Sequence, residues 1–265
     1  MSGSGSLPAA LGQSTCLRSA CAGCGPAASQ KAVDPKSFFR SSISSHDVIL
    51  LGAKHNQPST SLFLIDILPV LAGFGVTHVG LEITSDQQPK IDNFLHTGSG
   101  LDEIEIFHAI DRPEYRRFLD SVRLCELKPV ALDLPGSMWN TSYTRDEWMA
   151  RTISGVFQQE SRVKMLVIAG NLHTLKRVDW INPTKTDVFL PGYLSKYEPE
   201  LKSLSVLSDY DDSPSQCCKV RKKYESFEKP LVLNAMGLDL RPGVLDIIAA
   251  KPLKVDQIAD AVMIY

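Results

Sequence analysis

The sequence predicts an α/β fold in which a mainly parallel central sheet carries helices on both faces, with a site at the carboxyl ends of the strands. Val48-Ile49-Leu50-Leu51, Val79-Gly80-Leu81 and Met165-Leu166-Val167-Ile168-Ala169 are short, nearly continuous apolar runs, the pattern of strands covered on both sides. Segments with helical spacing lie between them, and such alternation gives parallel sheets with right-handed crossovers. Each run also stops at an ionisable side chain: His55, Glu82 and His173. A fourth run, Pro129-Val130-Ala131-Leu132, ends likewise in Asp133. In open α/β sheets, ligands collect at such strand ends. One polar residue past a strand is ordinary, since every strand leaves the core. Here a glycine three residues before both His55 and His173 also permits tight turns.

The elements follow in chain order. Residues 1–36 are rich in Ser, Gly and Ala, which predicts a disordered tail, followed by a single domain over 37–265. After the strand at 48–51, Ser59 to Gly73 reads as a helix with Leu62, Ile65, Leu68 and Leu71 among its apolar positions. Pro69 is expected to kink or shorten it, and Gly73 and Gly75 close it. Gln87 to Leu95 and Leu101 to Ile110 read as two short helices. Pro113 suits the first turn of another, with Tyr115, Phe118, Leu119, Val122 and Cys125 spaced toward the core. Thr144 followed by Glu147 matches a capping box opening a helix through Gln159, with Trp148, Met149, Ile153 and Phe157 as its buried stripe. A strand at 164–169 and a brief helix after His173 complete the unit. Ser208 to Lys223 carries dense charge and reads as a solvated loop. Pro230 to Asn234 and Ala261 to Tyr265 read as two more strands.

Composition narrows the function. At 265 residues and 43% hydrophobic content, one sizeable core is affordable. A net charge of -2 and a pI near 6.3 lack the basic footprint of nucleic-acid binding. No apolar run approaches the roughly 20 residues needed to cross a bilayer. Leu7-Pro8-Ala9-Ala10-Leu11 falls short of a Sec signal core. The polar, Ser-rich start has the composition of type III secretion substrates and equally of ordinary tails. Cys21-Ala22-Gly23-Cys24 has zinc-ligand spacing but no matching second pair, so reduced thiols are the reading for it and for Cys16, Cys125, Cys217 and Cys218.

Gly52-Ala53-Lys54-His55, Leu81-Glu82, Arg145-Asp146-Glu147-Trp148-Met149-Ala150, Gly170-Asn171-Leu172-His173 and the closing Ala259-Asp260-Ala261-Val262-Met263-Ile264-Tyr265 occur in that order. This series resembles the superfamily of ChaN-like haem-uptake lipoproteins, erythromycin esterases and Tiki/TraB proteins, and spans nearly all of 47–265. The family pattern has Gly-Glu-x-His at the first motif, so Ala53 stands where a glutamate is usual, and a metal or water bound there in relatives would lack that ligand. A looser resemblance, to a plant-pathogen type III effector of this fold, matches the polar N-terminus and implies secretion into the host cytoplasm. Without that route the expected location is cytoplasmic.

Hydrolysis of an ester or related bond requires a base, an acid and a stabilised oxyanion. Histidine suits acid-base work near neutral pH. His55 and Glu82 are expected to activate water, Glu82 either orienting and stabilising an imidazole or, where burial raises its pKa, acting as the base itself, with His173 as acid or second ligand. The same three residues are the candidate metal ligands, two histidines and a carboxylate being a common zinc set, although no segment has paired spacing. Asp133, Arg145 and Asp146 are candidate substrate contacts, with helix capping an equal alternative for the latter two. The cofactor stays open between none, a divalent metal and haem. For haem, which the ChaN resemblance implies, Tyr143 or His55 would be axial ligand. A further alternative is a degenerate effector recognised by a host protein such as an immune receptor. His46, His78, His96 and His108 and Trp139, Trp148 and Trp180 are read as packing or surface residues.

Overall fold

The structure, a computed structural model, describes residues 32–55, 57–178, 188–208, 230–236, 238 and 254–265. Its frame is a seven-stranded sheet: β1 (Val48–Ala53), β2 (His78–Thr84), β3 (Lys128–Asp133), β4 (Met165–Gly170), β5 (Ser203–Ser208), β6 (Leu231–Asn234) and β7 (Ala261–Ile264), in the order β3-β2-β4-β1-β5-β7-β6. All neighbours are parallel except β6, which runs antiparallel to β7. Val48 of β1 and His78 of β2 both pair with Met165. Strands β1, β2 and β4 therefore start level, and their carboxyl ends share one rim.

Side chains alternate across the sheet, and helices cover both faces. Ile49 and Leu51 point into a core with Phe39 of α1 (Pro35–Ser45), Leu64 and Leu68 of α2 (Ser59–Gly73), Phe94 of α3 (Gln88–Thr97) and Phe118 of α4 (Pro113–Leu124). Val48 and Leu50 point the other way, onto Met149 and Ile153 of α5 (Arg145–Gln159) and Leu190 and Leu194 of α6 (Leu190–Tyr197). The β5–β7 edge has its own cluster, which includes Val255 and Ile258 of α7 (Val255–Ile258).

Several local expectations change. Helix α1 begins at Pro35, its end capped by Asp34 accepting from the Ser37 amide, and Val33 bridges Val232, so ordered chain starts ahead of residue 37. Helix α2 runs unbroken through Pro69, which lies on its exposed side, while buried Leu64, Ile67, Leu68 and Leu71 hold the inner side. Leu62 is exposed rather than core. Leu101 to Ile110 is one short 3-10 turn over Leu101–Glu103 followed by loop. That loop is fastened by the Arg116 guanidinium donating to the carbonyls of Leu101 and Ile104, a tertiary tie that no local pattern signals. In α5 the buried residues are Met149, Ala150, Ile153 and Ser154, with Trp148 and Phe157 half-buried. Thr144 caps that helix by accepting from the Glu147 amide, while the Glu147 carboxylate turns to Arg151 and the Tyr197 hydroxyl. Residues 171–174 form a turn and 175–178 are not helical, while residues 179–187, where the brief helix expected after His173 would continue, lie outside the described residues. Strand β2 continues past Glu82 to Thr84, with a register shift against β3 between Leu81 and Thr84. Strand β5 and helix α6 carry no sequence signal strong enough to predict them. The 1–31 segment with its three cysteines, Trp180, the Cys217-Cys218 pair and most of the charged 208–223 stretch lie outside the described residues.

Asn171 ties the centre of the sheet together at its carboxyl rim. Its amide donates to the Ser208 carbonyl at 2.8 Å and its Oδ1 accepts from the Ser208 amide at 3.0 Å. The Ser208 hydroxyl in turn donates to the Gly52 carbonyl. A Cβ on Gly52 would lie 2.2 Å from Asn171 Oδ1, so the contact requires glycine in β1. Removing the clamp strands the buried Ser208 amide, at a cost of about 1–3 kcal/mol. Asn171→Ala is expected to lower stability by about that amount in chemical denaturation, with the far-ultraviolet circular dichroism of the folded state unchanged.

Candidate active site

The six residues singled out from the sequence meet at the rim of β1, β2, β3 and β4. Glu82 occupies the centre and is only 4% exposed. Its Oε1 accepts from Arg145 Nη2 at 2.6 Å, and its Oε2 accepts from the Gly170 amide at 2.5 Å. The two histidines approach from either side: His55 Nε2 lies 3.5 Å from Oε2 and His173 Nε2 lies 3.5 Å from Oε1. Gly170 must be glycine here, since a Cβ would sit 2.7 Å from His55 Nε2.

A second layer fixes these groups. Arg145, the first residue of α5, also grips Asp133 in bidentate fashion, Nε to Oδ1 at 2.8 Å and Nη2 to Oδ2 at 2.6 Å. Asp133 further accepts from the Leu134 amide. His173 Nδ1 contacts Asp146 Oδ1 at 3.0 Å, and the same oxygen accepts from the Leu190 amide at the start of α6. Arg145 and Asp146 thus serve the site rather than the cap of α5, which belongs to Thr144.

The electrostatics separate the two histidines. Burial alone would raise the Glu82 pKa, but hydrogen bonds from His173 and His55 and the charges of His173 and Arg145 hold it well below the usual carboxylate range. Glu82 is a permanent anion and a poor proton acceptor. Burial alone would lower the His173 pKa, but hydrogen bonds to Asp146 and Glu82 and their charges raise it to about 10. His173 is an imidazolium at neutral pH. Arg145 is likewise held in its charged form by Asp133 and Glu82 against burial. His55 is about 33% exposed and, among the described residues, has one ion-pair contact, with Glu82, leaving it as the more open of the two histidines. An Nε2–H directed at Glu82 would leave Nδ1 as the acceptor.

The donor set does not suit a metal. Among the described residues no group of three His, Cys, Asp or Glu side chains is arranged to hold an ion. His173 is protonated with both ring nitrogens facing carboxylates, and Arg145 already occupies the Glu82 oxygen that His173 faces. Haem fares similarly at Tyr143, whose ring packs against Trp148 and beneath the Arg151 guanidinium.

A narrow cleft opens beside His55 and Glu82, with about 30 Å³ of free volume, walled by Ala53, Leu64, Phe118 and Ile168. Its floor includes Tyr115, which the helical pattern presents simply as core. The exposed Phe107 ring meets His55 edge-on at 6.1 Å between centroids. Neither Tyr115 nor Phe107 carries a motif; only the fold brings them to the site. The other histidines do not join the site: His78 is buried at the opposite end of β2 against Thr77 and Glu160, His46 ends α1, His96 is on the exposed side of α3, and His108 meets the Phe107 ring edge-on. Trp139 is exposed and Trp148 donates to Ser85.

No family model and no curated protein sequence matches this chain. Solved structures do. An erythromycin esterase mutant in its open conformation matches with a TM-score of 0.64 at 11% identity, over 86% of this chain and 92% of that one. ChaN of Campylobacter jejuni, described with cofacially bound haem, gives 0.57 at 15% identity over 89% and 93%. The type III effector HopBA1 gives 0.50 at 12% identity over 70% and 88%. The chain shares the fold of ChaN and erythromycin esterase, as its motifs led one to expect; at these identities the likeness concerns the fold alone.

Two outcomes follow from the charge arrangement. Arg145→Ala leaves Glu82 and Asp133 as buried anions without their cation and is expected to cost about 3 kcal/mol in denaturant unfolding. That is the lower end for such a loss, because Arg145 is itself 42% exposed. For His173, the folded pKa of about 10 exceeds the ordinary 6.5. Its stabilisation is fully present below pH 6.5 and is lost as pH rises through about 10. The stability difference between wild type and His173→Gln should therefore shrink steadily across that window when unfolding is measured as a function of pH.

Proposed function

We propose that this protein is a hydrolase that cleaves an ester or related acyl bond with water activated at His55. The observation that carries this reading is the division of labour around Glu82. Arg145, His173 and the Gly170 amide secure one fixed anion, and that anion faces the single histidine left open to a cleft. His55 takes the proton of a water molecule as the water oxygen attacks the acyl carbon. The imidazolium that forms is stabilised by Glu82, and the departing alkoxide then recovers the proton from His55. Positioned acid-base catalysis of this kind contributes roughly 10²- to 10⁴-fold.

Of the two roles expected for Glu82, orienting and stabilising His55 is favoured over acting as the base, because the hydrogen bonds and charges around it lower its pKa. His173 and Arg145 are positioning cations, and Asp133 and Asp146 hold those cations in place. Ala53 places a methyl group, and no carboxylate, in the part of the cleft lining that follows β1.

The fold shared with an esterase supports the reaction class, and the fold shared with HopBA1 supports a role as a secreted effector acting in host cells on a small molecule or host protein. The ChaN likeness favours haem as a second reading. Against it, about 30 Å³ beside His55 is small next to the roughly 300–1,000 Å³ of ordinary ligand pockets. His55→Ala is expected to reduce turnover of p-nitrophenyl butyrate by at least about 10²-fold while the protein stays folded. Near-wild-type turnover would overturn His55 as base, and a Soret band on haem titration that vanishes in the same variant would favour the second reading.

A further inference from the structure

The Tyr115 hydroxyl has no account in the packing of the molecule. The residue stands in the first turns of α4 and is 6% exposed, and its oxygen has no hydrogen-bond partner among the described residues. A hydroxyl buried without a partner costs about 1–3 kcal/mol, and phenylalanine would fill the same core position without that cost. Buried tyrosines normally find a partner. The exception here lies in the wall of the cleft that also holds His55 and Glu82. A buried unsatisfied polar group calls for an explanation, and a catalytic role is one of them.

On the hydrolase reading above, we propose that Tyr115 is a catalytic residue that donates its hydroxyl hydrogen to the acyl carbonyl oxygen of the substrate. When the water oxygen bonds to the acyl carbon, the carbonyl π pair moves onto that oxygen, and the Tyr115 O–H holds the resulting oxyanion. The phenol keeps its own proton throughout. As the tetrahedral species collapses, the pair returns to re-form the carbonyl, the bond to the alkoxide breaks, and the alkoxide takes the proton held by His55.

The surroundings suit a donor of this type. Burial, together with the nearby Glu82 charge, pushes the Tyr115 hydroxyl above its ordinary value, so it remains protonated and donates at any working pH. Leu64, Phe118 and Ile168 supply apolar surface to the same cleft, whose lining also includes the polar Thr60, Ser61, Arg112 and Glu114, and hydrogen bonds strengthen where water is excluded. The free volume of about 30 Å³ is enough for one water-sized group at that position. A carbonyl oxygen meets that limit.

The test compares wild type with Tyr115→Phe in three measurements: kcat and KM for p-nitrophenyl butyrate, melting temperature, and the thermal shift produced by a propyl trifluoromethyl ketone, whose hydrate mimics the tetrahedral species. The expected result is a loss of roughly 10²- to 10³-fold in kcat with KM little changed. The melting temperature should equal or exceed that of wild type, because an unsatisfied hydroxyl has been removed, and the ketone shift should be lost. A Tyr115→Phe protein that keeps wild-type kcat, or that melts lower, would overturn the assignment while leaving the hydrolase reading intact. If wild type itself shows no turnover, the hydrolase reading falls. The ketone shift then decides Tyr115 alone: a shift in wild type that disappears in Tyr115→Phe retains it as a carbonyl-binding donor, and an equal or absent shift in both removes it.

Discussion

Everything at the rim of this sheet depends on keeping one buried carboxylate charged. Glu82 points inward from a strand flanked by two others, where desolvation opposes ionisation. Isolated buried charge is expensive, and a carboxylate without partners would take up a proton. Arg145, His173, His55 and the Gly170 amide supply enough opposing interaction to prevent that. The compensation is itself demanding. Arg145 needs Asp133 and His173 needs Asp146, so four elements, β2, β3, β4 and the start of α5, are locked through charges at their ends. The network is a poor source of net stability, since buried pairs roughly break even against apolar packing. Its yield is geometric: it fixes where His55 can stand.

The same constraint explains the glycines. Gly170 brings its backbone amide onto Glu82 while leaving space for the His55 ring, and Gly52 lets Asn171 reach across to Ser208. In the sequence these positions appear only as small residues before a histidine. In three dimensions they are places where a side chain would collide with the groups that make the site.

What could be read in advance divides along physical lines. Strands β1, β2, β3 and β4 were legible because burial on both faces forces a continuous apolar run, and their order in the chain implied a parallel sheet whose ends carry the polar residues. The convergence of His55, Glu82, His173 and Asp133 followed from that topology, whereas Arg145 and Asp146, at a helix start, were singled out by the family resemblance. Strand β5, Ser203-Leu204-Ser205-Val206-Leu207-Ser208, has neither the continuous apolar run of the central strands nor strict alternation, and its Ser205 and Ser208 are buried through hydrogen bonds to Asp260, Asn171 and Gly52. The loop after Glu103 was mistaken for helix because its order comes from Arg116, a distant partner. Protonation states were out of reach for the same reason. His55 and His173 have identical local signatures, Gly-x-x-His, and differ only in that His173 meets two carboxylates and His55 one.

Ala53 gains meaning from this asymmetry. A glutamate at that position would set a second carboxylate at the end of β1, beside the cleft that already borders Glu82. Two carboxylates there would compete for the available cations, and one of them would be driven toward its neutral form or toward a metal. With alanine, the carboxylate paired with His55 is Glu82, which is already neutralised by Arg145 and His173. The cleft beside this histidine holds Leu64, Phe118 and Ile168 together with the Tyr115 side chain. On the proposed hydrolase reading, proton transfer at His55 would be coupled to the packing of α2 and α4, whose Leu64 and Phe118 line the cleft. Loosening that packing would admit water to Glu82 and weaken its hold on an imidazolium at His55, so the site would be perturbed before the sheet itself lost stability.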